Sequence, residues 1–457
     1  MSEDREFDVI CIGAGPAGEA LAVELKGGDL SLAVVESNLV GGECPYWGCI
    51  PSKTLLRSAE VIAEADRARE LAASEVTYRV DYQKVYGRAF EMARGLDDTK
   101  SAEGLTSNGA TLVRGAGKLV SASEVEVDGS RLSARRAVVI ASGTSPLVPP
   151  IEGLASVDYW TNREAVLAAE QPERLIVLGA GAVGVELAQV YIRLGTQVHL
   201  VESTPYPLPL EDEDAGKYLQ TVLLRDGIEV SCGSRAVRVS QEGKEVSVTL
   251  DSGDVIHGDR LLVATGRKPN LNGFDLEAAG VSRTQNGYVK VDGGSLEAAP
   301  GVYAIGDING IGGFTHLSNY QGKVLGRALR GKQIVANHTA VPRVTFTDPE
   351  VASVGLSEAQ ARKQGIDVRL GSIADTLNMT TRGYIHGEPG GLVKLVGDRA
   401  RGVLVGATLV GPTAGERIHE MAVAIRAQVP LATLADTIHA FPTFSRDFES
   451  VFDGMTG

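Results

Sequence analysis

Cysteine is scarce in these 457 residues, with only Cys11, Cys44, Cys49 and Cys232 present. Four exclude a secreted disulfide scaffold and point to the reducing cytoplasm, where a close pair is more often chemical than structural. Basic charge is in deficit, 44 Lys and Arg against 58 Asp and Glu, for a net charge of −14. That balance excludes a general nucleic-acid binder, which needs a basic face for phosphates. No apolar run approaches the ~20 residues of a membrane span. The start, Met1 to Glu6, is acidic and does not read as a basic-then-apolar signal peptide. The seven histidines (His199, His257, His316, His338, His386, His419 and His439) show no ligand spacing with one another or with the cysteines. No metal site is therefore expected. With 43% hydrophobic residues the chain is not mainly disordered, and its length calls for roughly two to four domains.

What the chain has in abundance is glycine, 55 residues, and its placement is informative. An apolar run, Phe7–Ile12, ends in Gly13-Ala14-Gly15-Pro16-Ala17-Gly18; a helical stretch follows, then the strand-like Leu32–Val35 ending in Glu36. The unit recurs: Leu175–Leu178, then Gly179-Ala180-Gly181-Ala182-Val183-Gly184, a helix through Leu194, and Val198–Val201 ending in Glu202. Each glutamate stands 23 residues after the first glycine of its turn. Strand, glycine turn, helix, strand is the opening of a parallel doubly wound sheet. Its first glycine allows a tight turn, its second admits a pyrophosphate, and its third lets helix pack on strand. The helix N-terminus then faces the phosphates, and the carboxylate can accept from ribose hydroxyls. One such match is weak, but two with strand, helix and acid in register are not.

Each unit is followed by a strand closing on a small-residue turn, Val138–Gly143 and Leu261–Gly266. The fold class is therefore α/β, with two doubly wound dinucleotide-binding domains, one inserted in the other, and a C-terminal α+β domain. Residues 1–148 and 267–335 form the first, 149–266 the second and 336–457 the third. In the third the clearest helix runs from Ala414 to Ala427, with Ile418, Met421, Ala422, Ala424 and Ile425 on one face. The acidic run Glu211–Asp214 precedes a helix and reads as a complement to its dipole.

Between the first unit and the rest lies Gly41-Gly42-Glu43-Cys44-Pro45-Tyr46-Trp47-Gly48-Cys49-Ile50-Pro51-Ser52-Lys53. Two cysteines four residues apart join only across a tight turn, which Pro45 and Gly48 can supply. A helix start nearby favours thiolate. Taken alone, the pair reads equally as two buried free cysteines.

These segments, with Ala264–Arg267, Gly301–Asp307 and Asp348–Gly355, resemble the flavoprotein disulfide reductases of the dihydrolipoamide dehydrogenase, glutathione reductase and mercuric reductase group. The resemblance runs over essentially the whole chain. It implies FAD in the first nucleotide domain, NADH or NADPH in the second, and a homodimer made through the third. It places Gly13, Gly15, Gly18, Glu36, Gly41, Gly42, Gly117, Ser142, Gly143, Asp307, Phe314, Thr315 and His316 around FAD. Gly179, Gly181, Val183, Gly184, Glu202, Val237 and Gly266 surround the nicotinamide nucleotide, and Lys53 and Glu186 pair near the flavin. Cys49 is the flavin-proximal sulfur of a redox disulfide and Cys44 the sulfur that attacks substrate. Glu202 favours NADH, since a carboxylate there bonds a free 2′-hydroxyl and repels a 2′-phosphate.

The sequence departs from its relatives near the end. The resemblance expects a histidine acid/base before Pro442 and a glutamate after it. Phe441 and Arg446 stand there instead, with His439 two residues upstream. A phenyl ring moves no proton, so His439 either replaces the base or is a packed interface residue, and the second is favoured. A mercuric-reductase-like C-terminal cysteine pair is missing, since no cysteine follows Cys232. Glu43, Tyr46 and Trp47 are further departures that could reshape access to the cysteines. The leading expectation is a cytoplasmic FAD-dependent NAD(P)H oxidoreductase passing electrons through Cys44–Cys49 to a disulfide substrate. The alternatives are a quinone-type reductase working directly from flavin, and a non-catalytic flavin-containing redox sensor or assembly subunit.

Overall fold

The computed structural model describes residues 5–374, 381–387 and 390–456. The acidic start Met1–Asp4 lies outside the described residues. The backbone gathers into two compact units: residues 5–51, 88–147 and 267–338 in one, and 52–87, 148–266 and 339 onward in the other.

In the first unit the parallel strands run in the order Ala110–Arg114, Leu32–Glu36, Arg5–Ile12, Ser130–Ile140, Val302–Ala304. Neighbouring residues of the central strand feed opposite cores. Ile10 and Ile12 pack with Val35, Val138 and Ile140; Val9 and Cys11 pack with Val34, Val139, Leu21 and Leu25. A strand covered on both faces needs an unbroken apolar run, which is why Val9–Ile12 shows no alternation. Cys11 belongs to that core, and burial pushes its thiol up to about 12. From the central strand the chain winds outward one way and then crosses to wind the other. The reversal falls between Arg5–Ile12 and Ser130–Ile140, the place where such sheets take ligands.

The second unit repeats the plan, with parallel strands in the order Glu229–Cys232, Gln197–Glu202, Arg174–Leu178, Arg260–Val263, Tyr159–Trp160. Its reversal lies between Arg174–Leu178 and Arg260–Val263. A separate five-stranded antiparallel sheet follows in the order Arg343–Thr345, Glu350–Gly355, Val403–Gly411, Leu392–Asp398, Val368–Ala374. Helices Ala414–Ala427 and Asp447–Thr456 share its core. On the first of these, Ile418, Met421, Ala424 and Ile425 are buried, as the periodicity predicts, while Val423 is 66% exposed.

The acidic run does more than complement a dipole. Asp212 caps helix Glu213–Arg225 by accepting from Asp214 N–H at 3.1 Å. Lys394 of the antiparallel sheet also donates to Asp212 and Asp214 at 3.0 and 2.8 Å, and Arg343 and Ser353 bond Glu211. Burial alone would lower the Lys394 ammonium, but these carboxylates outweigh it and hold it above its ordinary value. Among the described residues no helix is long and apolar enough to cross a membrane.

Candidate active site

The two glycine turns match in detail. Gly13 and Gly179 have φ of +116° and +98°; a Cβ there would stand 2.3 Å from the Ala141 carbonyl oxygen and 2.5 Å from that of Ala264. A Cβ on Gly18 or Gly184 would meet the carbonyl oxygen of Gly13 at 2.3 Å or of Gly179 at 1.9 Å. The outer glycines are therefore required by the chain's own packing. The middle ones are not: Gly181 has nothing within 4 Å, and Gly15 only the Gly42 Cα at 3.9 Å. Gly15 and Gly181 begin helices Pro16–Leu25 and Ala182–Arg193 without a side-chain cap. Free N–H groups over an open cradle suit a pyrophosphate. The residues present thus fit a dinucleotide in each turn.

Both glutamates hold their own turns. Glu36 accepts from Ala14 N–H at 2.8 Å and Asn38 N–H at 2.7 Å. Glu202 accepts from Ala180 N–H at 2.7 Å, Thr204 N–H at 2.9 Å and the Ser203 hydroxyl at 3.1 Å. A carboxylate has about four acceptor positions, so each retains capacity for a ribose hydroxyl. Val183 lies 39% exposed in the first turn of its helix, and Val237 is 45% exposed at the register shift between Ala236 and Arg238. Gly266, with φ of +128°, ends the strand beside Ala264.

In the first unit the remaining predicted residues gather along the sheet reversal. Gly117 packs between Ile12 and Val35, where a Cβ would be 3.0 Å from each side chain. Gly143 has φ of +67°, and Ser142 Oγ donates to the Asn270 carbonyl at 2.7 Å. Asp307 accepts from Thr144 Oγ1 at 2.9 Å; burial raises its carboxyl, opposed by that bond and by Arg267. Arg267 donates to Thr144 Oγ1 and carbonyl, both at 2.7 Å, and to Glu43 at 3.2 Å. This chain from Glu43 through Arg267 and Thr144 to Asp307 was missed from sequence. Its only signal was that Arg267 directly follows the Gly266 turn. Phe314 and His316 stack at 5.3 Å at the start of helix Thr315–Leu329.

The cysteines sit on two helix starts, Glu43–Tyr46 and Cys49–Leu71. Gly48 makes the turn between them: a Cβ there would be 3.3 Å from Cys44 Cα. Both are free thiols, and Cys49 Sγ lies 3.4 Å from Thr315 Oγ1. The expectation of thiolate stabilisation does not hold for Cys44. Its hydrogen bond with Cys49, in which the protonated Cys44 thiol is the donor, and then burial, push its thiol well above the ordinary range. Tyr46 corrects a second expectation: it is fully buried, donating to the Val40 carbonyl at 2.9 Å, and anchors the hairpin from beneath.

In the second unit, Lys53 lies one helical turn beyond Cys49 and donates to Glu186 Oε2 at 2.7 Å. Glu186, 4% exposed, also accepts from Phe346 N–H at 2.9 Å, and Lys53 Nζ stands 4.7 Å from the Phe346 ring centroid. The pair proposed from sequence is formed and fixed from three directions.

Comparison with known proteins agrees with this geometry. Residues 7–323 match the pyridine nucleotide-disulphide oxidoreductase model and residues 341–451 the dimerisation domain of the same family. The chain belongs to that family. A dihydrolipoyl dehydrogenase of Mycobacterium tuberculosis is 34% identical, covering 99% of this chain and 98% of its own. A mercuric reductase of Lysinibacillus sphaericus is 32% identical over 97% of this chain and 82% of its own. The structure of the HOCl-induced flavoprotein disulfide reductase RclA from Escherichia coli superposes with a TM-score of 0.85 at 26% identity, covering 98% of this chain and 99% of that one. This chain is thus a flavin-dependent pyridine nucleotide-disulphide oxidoreductase, using FAD and NAD(P).

In this oxidoreductase the departure near the C-terminus has a definite structure. Phe441 is 61% exposed, with the Arg446 guanidinium 4.9 Å from its ring centroid. The His439 side chain is only 6% exposed, with Nε2 2.9 Å from Glu420 and its backbone N–H donating to Glu449 at 3.2 Å. It packs against Phe448 and is not presented to solvent as an acid/base. Among the described residues no group of three or more His, Cys, Asp or Glu side chains could hold a metal ion.

Proposed function

We propose that this protein is a cytoplasmic, homodimeric NADH oxidoreductase that delivers electrons through a Cys44–Cys49 disulfide to a disulfide acceptor resembling lipoamide. The supporting observation is the hydrogen-bonded Cys44–Cys49 pair set against Thr315 at a helix start. Residues 1–148 and 267–335 are assigned to FAD, 149–266 to the nicotinamide nucleotide and 336–457 to dimerisation. Exposed Val423, Ile438 and Phe441 in the last segment are apolar area that a second copy would cover.

Bound FAD supplies the two-electron relay between nicotinamide and sulfur. The protein's part is positional. Gly13, Gly15, Gly18, Glu36, Gly41, Gly42, Gly117, Ser142, Gly143 and Asp307 seat that group, with Phe314, Thr315 and His316 along it. Gly179, Gly181, Val183, Gly184, Glu202, Val237 and Gly266 seat the nicotinamide nucleotide. Lys53 and Glu186 fix charge where hydride arrives. In the sulfur half, Cys44 gives up its proton and attacks the acceptor disulfide, and the expelled sulfur takes up a proton and leaves as one thiol. Cys49, losing its proton, then displaces the second thiol from the mixed disulfide and leaves Cys44–Cys49 oxidised. NADH is preferred because Glu202 offers a carboxylate to the ribose. Arg235, which follows Ser234 whose N–H bonds the Glu202 carbonyl at 3.0 Å, is paired with Asp251 at 3.6 Å.

A second reading, direct reduction of a quinone-like acceptor, is favoured by the Phe441–Arg446 stack, which supplies no proton donor where a dithiol reductase needs one. NADH oxidation with lipoamide and with a soluble quinone, in wild type and Cys44→Ala, separates them. Loss of lipoamide turnover alone supports the disulfide route, and full retention of both activities rejects it.

A further inference from the structure

Gly306 stands directly before Asp307, and its N–H donates to Gln321 Oε1 at 2.7 Å. Gln321 is fully buried on helix Thr315–Leu329. The same oxygen accepts from Asn309 Nδ2 at 2.8 Å, and that nitrogen also donates to the Ala304 carbonyl at 3.1 Å. Asn309 Oδ1 in turn accepts from Ile311 N–H at 3.0 Å. The helix carrying Gln321 is tightly seated: a Cβ on the next residue, Gly322, would stand 2.5 Å from the Ala17 carbonyl oxygen in the helix after the first glycine turn.

Two backbone donors fix both amides. Gly306 N–H can only donate, so Gln321 presents oxygen to it, and Ile311 N–H orients Asn309 in the same way. Gln321 Nε2 is therefore the donor toward His338 Nε2, 3.1 Å away. That bond requires a lone pair on His338 Nε2, so the imidazole is neutral with its proton on Nδ1. Protonation would set N–H against N–H. Turning Gln321 over is no escape, because its amino group would then face the Gly306 N–H and Asn309 Nδ2. The imidazole has to leave, and a fully buried amide loses its acceptor.

The surroundings offer that cation no compensation. From the helix, the Tyr320 ring meets the imidazole edge-on at 6.1 Å, and its hydroxyl accepts from Asn337 N–H at 2.8 Å. In the turn whose Gly294 carbonyl holds Ala336 N–H, Asp292 is engaged by the N–H groups of Gly294 and Ser295. Asp307 accepts from Thr144. Among the described residues His338 forms no ion pair, and burial lowers its imidazole from the ordinary value. We propose that Gln321 is the positioning residue for the Gly306–Asp307 turn, that neutral His338 keeps it in place, and that protonating His338 loosens the turn and its hold on FAD. The last clause rests on the reading that Asp307 seats FAD. The support is complete above the ordinary histidine value of ~6.5 and is lost as pH falls through the lowered folded value.

The test compares FAD-loaded enzyme at about pH 7.5 and about pH 5.5, on either side of an ordinary histidine. Hydrogen–deuterium exchange of peptides spanning residues 302–311, corrected for the intrinsic effect of pH, reads the turn, and flavin fluorescence reads FAD release. In wild type both should be faster at the lower pH by roughly 3- to 10-fold, as for one lost buried hydrogen bond. His338→Gln supplies an acceptor that does not titrate and should remove the acid effect. Gln321→Glu should remove it independently, because its second oxygen accepts from the protonated imidazole. Gln321→Leu should be fast at both pH values. Equal corrected exchange in wild type at the two pH values overturns the proposal, as does an acid response undiminished in both His338→Gln and Gln321→Glu. Asp307→Ala separates the underlying reading. If exchange follows the pattern while neither acid nor Asp307→Ala speeds FAD release, the clamp stands and the assignment of Asp307 to FAD fails. If Asp307→Ala does speed release but acid does not, the coupling of His338 to FAD is overturned.

Discussion

Arg446 lies over Phe441, its guanidinium carbon 4.9 Å from the ring centroid. The resemblance expects a histidine and its supporting glutamate at these two positions, so an acid/base pair has become a cation–π pair. Phe441→His with Arg446→Glu should therefore raise lipoamide turnover, by as much as ~10²-fold, within the range of general acid–base catalysis. Quinone turnover should be unaltered. Steady-state rates with both acceptors test this, and unchanged lipoamide turnover would show that the proton route lies elsewhere.

His439 is the remaining candidate for that route, and its burial between Glu420 and Glu449 argues for a packing role. His439→Asn should lower the melting temperature, at a cost of about 1–3 kcal/mol for the disrupted buried hydrogen bonds. At a temperature where the variant is folded, kcat with lipoamide should be unchanged. A large fall in kcat with the melting temperature intact would restore it as the base.

The Cys44 thiol is raised chiefly by its hydrogen bond to Cys49 and then by burial. A thiol with a raised folded pKa favours the folded, reduced state most below its unfolded value, and that contribution fades as pH climbs through the folded one. Alkylation of Cys44 in the reduced protein should therefore be slower than that of a free thiol near pH 8 and still be climbing above about pH 9. Mass spectrometry of iodoacetamide-treated protein across pH reads this directly. A plateau by neutral pH would contradict it.

The two glycine classes separate packing from binding. Gly184→Ala forces a Cβ to within 1.9 Å of the Gly179 carbonyl oxygen and should cost about 1–3 kcal/mol or more in stability. Gly181→Ala projects into open space, so the melting temperature should hold while the KM for NADH rises. Thermal denaturation and initial rates on both variants check the contrast.

Lys53→Met removes the partner of a 4%-exposed carboxylate. On the role proposed for the pair, NADH-driven turnover should fall about 10²-fold from the loss of its fixed charge, and the melting temperature should drop with it. Lys53→Arg should recover stability more fully than rate.

Much of this was legible in the chain because spacing along one segment encodes it. The offset between Gly13 and Glu36 places the carboxylate on the Ala14 N–H, and the Gly179–Glu202 offset repeats it. The Lys53–Glu186 pair came through resemblance alone, since no local pattern joins residues so far apart in sequence. The hydrogen bonds joining Glu43, Arg267 and Thr144 were missed for the same reason, although Glu43 and Arg267 were themselves noted. The acidic run Glu211–Asp214 was only half understood, because Lys394 and Arg343 reach it from strands more than 130 residues away in sequence. Tyr46 could not be told from an access residue until its hydroxyl was seen on Val40.

Gly41 N–H bonds the Ala14 carbonyl at 2.8 Å, and a Cβ on Gly42 would press on Gly15. The hairpin bearing Cys44 thus hangs from the loop proposed to seat the prosthetic group. Stripping that group should unsettle the sulfurs before the sheet beneath them, so a vacant apoprotein is poised to scramble its thiols while its hydrophobic layers remain whole. Reconstitution would then depend on keeping those thiols reduced until the yellow cofactor is back in place.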